Sequence, residues 1–81
     1  MEEHITNTIL NHIPDAKVFA QDYKGGDHFE VVVVSSIFKE MKLIDQHRKV
    51  MDLFKEEFKE VIHAFSLKTM TFEQYDKMNN K

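Results

Sequence analysis

His28-Phe29-Glu30-Val31-Val32-Val33-Val34-Ser35 is the stretch whose reading decides the fold. Successive side chains of a β-strand point to opposite faces, so four valines in a row leave neither face polar. Their β-branched side chains also favour extended backbone. A strand apolar on both faces belongs in the middle of a sheet and needs a neighbour on each edge.

The first neighbour precedes it. Ala16 to Tyr23 alternates, with Phe19 and Tyr23 on one side, Val18 and Ala20 on the other, and Lys17 and Gln21 suited to a wet surface. It reads as an edge strand. Lys24-Gly25-Gly26-Asp27 holds the chain's only two glycines, and adjacent glycines between two β-type runs signal a hairpin, because glycine accepts positive φ at no steric cost. The functional alternative for the same pair is a phosphate-cradling loop, but no helix starts after it and no Lys-Ser/Thr follows. A turn that makes the first two strands antiparallel is the reading adopted.

The second neighbour comes later, at Val61-Ile62-His63-Ala64-Phe65-Ser66-Leu67-Lys68-Thr69. Val61, His63, Phe65 and Leu67 share one side, and Ile62, Ala64, Ser66 and Lys68 the other. One imidazole thus stands in an apolar row. Such a ring needs a backbone carbonyl, a carboxylate or a metal as partner, and the residues alone leave His63 open between a structural histidine and a ligand. About two dozen residues containing helix separate this strand from the valine strand; that is a right-handed crossover, which makes the two strands parallel.

Helices complete the pattern. Ile5, Ile9, Leu10 and Ile13 recur at helical spacing from Glu2 to Ile13, with Glu2 and Glu3 at the positive end of the helix dipole; Pro14 and Asp15 stop the helix. Ser35 and Ser36 suit the cap of a short helical turn near Ile37-Phe38. Leu43, Val50, Met51, Phe54 and Phe58, with His47 on the same stripe, predict the longest helix, from Leu43 to Phe58. Thr71-Phe72-Glu73-Gln74 matches a capping box and Met70 with Tyr75 a hydrophobic staple, opening a short helix to about Met78 that leaves Asn79 to Lys81 to fray.

Composition bounds the function. Eighty-one residues make one domain, 1–81, and 42% hydrophobic with 31% charged residues indicates a folded chain. There is no cysteine, so neither a disulfide nor a thiolate metal site can come from this chain alone. The start Met-Glu-Glu-His-Ile is unlike a signal peptide and no apolar run approaches a membrane span, so an intracellular, cytoplasmic location without membrane contact is expected. A net charge of −3 removes the electrostatic drive that nucleic-acid binders show.

The order helix, strand, strand, helix, helix, strand, helix (αββααβα) resembles the α+β, class II KH-like arrangement with a three-stranded mixed sheet. Asp27-His28-Phe29 running into Val31-Val32-Val33-Val34-Ser35, then Phe38, His47-Arg48 with Val50, Ile62-His63-Ala64-Phe65, Lys68-Thr69 and Thr71 resembles the BolA family, in order and at the right separations from His28 to Tyr75. Three places depart from the family pattern. Glu40 stands for a usual glycine, Gln46 for a frequent arginine before His-Arg, and Thr71-Phe72-Glu73-Gln74-Tyr75 for Thr-Pro-x-x-Trp.

The resemblance implies pairing with a monothiol glutaredoxin around a bridging 2Fe-2S cluster. The partner would give its cysteine and a glutathione thiolate. This side would give His63 and a second ligand from the loop before the valine strand, for which His28 is the nearest candidate in a chain without cysteine. The implied role is cluster assembly, trafficking or iron sensing, with an apo form that is a monomer or a weak dimer. His28 also reads as a residue that merely caps the hairpin or meets solvent. His47 and Arg48, with Lys68, read as partner or nucleic-acid contacts, or as a ring packed on the sheet beside a paired arginine.

A second class is a nucleic-acid-binding transcriptional regulator, which the KH-like fold supports and some BolA proteins are described as. Against it, Glu40-Met41-Lys42-Leu43 lacks the Gly-x-x-Gly that clamps a nucleic-acid backbone. An enzyme is not expected, although Ser35, His63 and Asp22 are the residues from which a triad would have to be built.

Overall fold

The computed structural model describes residues 2–22, 28–55 and 64–79. Helix α1 spans Glu2–His12, strand β1 Lys17–Asp22 and strand β2 His28–Val34. A 3₁₀ turn covers Ser36–Glu40, helix α2 Leu43–Met51 and a second 3₁₀ turn Asp52–Phe54. Strand β3, Ala64–Met70, and helix α3, Phe72–Asn79, close the chain. The hairpin residues Lys24 to Asp27, the end of the expected long helix at Phe58 and the start of the last strand at Val61 to His63 lie outside the described residues.

The sheet has the order β1-β2-β3, with β1 antiparallel and β3 parallel to β2. The valine strand is therefore central, as its two apolar faces require. Val31, Val33 and Phe29 face a core completed by Ile5, Ile9 and Ile13 of the first helical segment and by Phe38, Val50 and Phe54. Removing each of these side chains from water stabilises the fold by about 1.5–3 kcal/mol before entropy is counted. The opposite face carries Val34 and Met70, both buried, beside half-buried Val32. Helix α3 lies on that face, where the Tyr75 ring stacks on Phe19 at 5.8 Å and Lys17 Nζ sits 5.3 Å from its centre. Thr71 Oγ1 accepts from Gln74 N and Gln74 Oε1 accepts from Thr71 N, the reciprocal capping box that starts α3.

Helix α2 departs from expectation. It stops at Met51 and tightens into a 3₁₀ turn, and Leu43 is 61% exposed, so it does not belong to the buried stripe. The buried line runs instead through Gln46, Val50 and Phe54, spaced by four. His47 stands one position round and is half-buried. The helix is rotated because Gln46 is a bridge. Its Nε2 donates to Phe38 O at 3.2 Å and Met41 O at 2.8 Å, while its Oε1 accepts from Thr69 Oγ1 at 2.7 Å. Three segments are joined by one amide, which answers the Met41 carbonyl and adds a second donor to the Phe38 carbonyl, already the acceptor of Met41 N at the end of the 3₁₀ turn.

A second polar tie lies at the same end of the sheet, just past the last residue of β2. Ser35 Oγ, buried, donates to Asp15 Oδ1 at 2.6 Å and accepts from Ile37 N at 3.2 Å, capping the 3₁₀ turn. Ser36 donates to Asp15 Oδ2 from its hydroxyl at 2.5 Å and from its amide at 3.1 Å. The Ser35 hydroxyl above all, then the Ser36 hydroxyl and amide, hold the Asp15 carboxyl below its ordinary 3.8. Asp15 thus stops α1 and also anchors the exit from β2.

Gln46→Ala is expected to lower the unfolding free energy by about 2 kcal/mol, and Gln46→Leu to recover little of it, since leucine leaves Met41 O and Thr69 Oγ1 without this partner and Phe38 O with Met41 N alone. Denaturant titration of both variants checks this, and a leucine variant as stable as the parent would refute it. Because folding lowers the Asp15 pKa, its contribution is full above the ordinary carboxylate value and is lost as pH falls through the lowered one. The parent should therefore exceed Asp15→Asn in stability at about pH 6, with the gap closing towards about pH 2.5. A gap that does not change with pH would show that the carboxylate charge contributes nothing.

Candidate functional site

Parallel pairing places the starts of β2 and β3 side by side. His28 is the register partner of Ala64, Phe29 of Phe65 and Glu30 of Ser66. Adjacent strands run about 4.8 Å apart, so whatever enters β2 and whatever enters β3 reaches the sheet at the same end. His28 is the first residue of β2, and only its backbone is described. His63, which immediately precedes Ala64 in the sequence, lies outside the described residues. The tertiary structure thus brings the first residue of the valine strand beside the residue that follows His63.

The other three candidates do not converge. Lys68 is exposed on β3 and shares a row with Val32 and Phe19, on the face that α3 partly covers. His47 and Arg48 belong to α2, which meets β3 through Thr69 and contributes Val50 to the core on the opposite face. Neighbouring residues of a strand point apart, so Lys68 starts from one side of the sheet and the His47-Arg48 pair from the other. Arg48 is exposed, and with exposed Lys42 and Lys49 it gives α2 a basic outer side.

Among the described residues no three histidine, cysteine, aspartate or glutamate side chains lie close enough together to hold a metal ion. Ser35, the hydroxyl from which a triad would have been built, is buried and its Oγ is occupied by Asp15. A cleft of about 180 Å³ between the first 3₁₀ turn and α3 is lined by Ser36, Lys39, Thr71, Phe72 and Glu73. That is below the roughly 300–1,000 Å³ typical of small-molecule sites. No helix among the described residues is long and apolar enough to cross a membrane.

The tie through Gln46 and the Asp15 cluster were not visible as such in the sequence. Gln46 registered only as a departure from arginine, and Asp15 only as a helix stop. Both act through partners five to twenty-three residues away, and no local spacing announces them.

A family model for BolA-like proteins matches residues 3–74. The DNA-binding transcriptional regulator BolA of Haemophilus influenzae is 35% identical over 52 residues, which make up 64% of this chain and 50% of that protein. The chain thus aligns with half the length of that relative. A bolA protein homologue from Coxiella burnetii is 30% identical, with a TM-score of 0.77 over 94% of this chain and 96% of that one. BolA1 protein from Mus musculus, 24% identical, gives a TM-score of 0.85 over 99% of this chain and 72% of its own, a likeness of fold.

Proposed function

This chain belongs to the BolA-like protein family, and from that premise we propose that it pairs with a monothiol glutaredoxin and co-ligates a bridging 2Fe-2S cluster through His63 and His28. Its role would be in cluster assembly, trafficking or iron sensing. The observation that carries the reading is the register of the parallel strands, in which His28 is partnered by Ala64, the residue after His63. His28 and the residue that follows His63, far apart in sequence, thereby lie side by side at one end of the sheet.

The donor set fits a shared cluster and does not fit one held by this chain alone. A 2Fe-2S centre takes four ligands, and this chain has no cysteine and no described group of three ligating side chains. Two histidines on one iron, with sulfur supplied by glutaredoxin and glutathione on the other, satisfy the count without any thiolate from this side. When bound, such a centre supplies one-electron chemistry at a potential raised by histidine ligation. His63 and His28 would serve as neutral imidazoles, so protons compete for the same nitrogens and binding weakens at low pH.

His63→Ala is expected to leave the fold intact while abolishing the visible absorbance and circular dichroism of the complex reconstituted with glutaredoxin and glutathione. Unchanged spectra would remove His63 from the site. His28→Ala should alter or weaken the same spectrum, and indifference would transfer the second ligand to another group of the preceding loop, such as Asp27.

A nucleic-acid-binding regulator is the second reading, favoured by the name of the Haemophilus influenzae relative and by exposed Arg48 and Lys68. The net charge of −3, and the start of those two side chains from opposite faces of the sheet, weigh against a single phosphate-binding surface. Titration with short duplexes decides it: a steep loss of affinity with added salt that is blunted in Arg48→Ala would establish this reading.

A further inference from the structure

Phe19 lies 44% exposed near the middle of β1, an aromatic ring in water on a strand at the edge of the sheet. We propose that two copies of this chain pair along β1, antiparallel about a two-fold axis at Phe19, joining two three-stranded sheets into one of six strands. This stands independently of the cluster reading.

A two-fold axis perpendicular to the sheet keeps each face on its own side, so facing residues must have numbers of the same parity. Centring the axis on Phe19 sets the two Phe19 rings against each other, Val18 against Ala20, and Lys17 against Gln21. Within one copy Lys17 is already the partner of Val34, Phe19 of Val32 and Gln21 of Glu30. One row of the joined sheet then reads Val32, Phe19, and Phe19 and Val32 of the second copy, with a Tyr75 ring stacked on each Phe19. The next row reads Val34, Lys17, and then Gln21 and Glu30 of the second copy.

Lys17 and Glu30 carry opposite charge and are both exposed. In this row their backbones are two strands apart, about 10 Å, a span their two long side chains can bridge. The symmetry makes this pair twice. Like charges do not meet in either row, and four rings form one apolar strip. Moving the centre to Val18 would face Phe19 with Lys17, and moving it to Ala20 would face it with Gln21; both lose the ring pair. The other sheet edge, β3, carries exposed Ser66 and Lys68 on the same face, the kind of polar edge that resists pairing.

Sedimentation equilibrium of the full chain, from micromolar into millimolar concentration, tests the pairing. A reversible monomer–dimer equilibrium is expected, and Phe19→Lys should raise its dissociation constant by at least about tenfold. That variant also removes the Tyr75 stack, so the charge pair supplies a readout with the ring in place. Lys17→Glu and Glu30→Lys should each weaken the dimer, and the double exchange should restore it. Monomer at every concentration, larger species, a dimer indifferent to Phe19→Lys, or a double exchange no tighter than the single ones would overturn the proposal.

Discussion

Strand β2 is paired along both of its edges and apolar on both of its faces, and every other element takes its place from that constraint. A backbone enclosed in this way must have its amides and carbonyls answered by strands on both sides. β1 answers one edge within a short connection, and β3 can answer the other only after a crossover, because it runs parallel. The helices α1 and α2 then have one apolar face to cover, the face of Phe29, Val31 and Val33. The remaining face is left to α3.

The crossover is where polar chemistry decides geometry. Turning from β2 into α2 leaves the Met41 carbonyl to be answered by a side chain; Gln46 answers it, adds a second donor to the Phe38 carbonyl that already accepts from Met41 N, and reaches Thr69 of β3. An arginine at that position has donors only and could not accept from Thr69, so the departure from the family pattern has a structural consequence in this chain. At the entry to the same turn, Asp15 gathers Ser35 and Ser36 and ties the end of the first helical segment to the exit of the central strand. Both ties lie at the carboxyl-terminal end of β2 and β3 and hold the first part of the crossover against the sheet.

The parallel pairing of β2 and β3 is what the proposed function rests on. In a parallel pair the two amino-terminal ends coincide, so the first residues of β2 and β3, His28 and Ala64, lie side by side at one end of the sheet. Membership of the BolA-like family and the histidines at these two chain positions give that end its interest. The far end is occupied by the capping box of α3 and the Asp15 cluster, and offers only a small cleft.

Much of this was legible in order. The four valines announced a central strand, the paired glycines a hairpin, and Thr71 with Gln74 a helix start, since each signal lies within a few residues and depends on local sterics or hydrogen bonding. The antiparallel and parallel pairings followed from connection lengths. The rotation of α2 did not: periodicity favoured Leu43, whereas the fold buries Gln46 and exposes Leu43, because an amide that satisfies three groups outweighs one leucine at a helix end. Nor did the sequence separate Lys68 from His47 and Arg48, which only the two faces of an assembled sheet distinguish. Local pattern, read residue by residue, determined which elements form; tertiary contact between distant residues decided how they are rotated and which side chains share a surface, since such contacts have no fixed spacing along the chain.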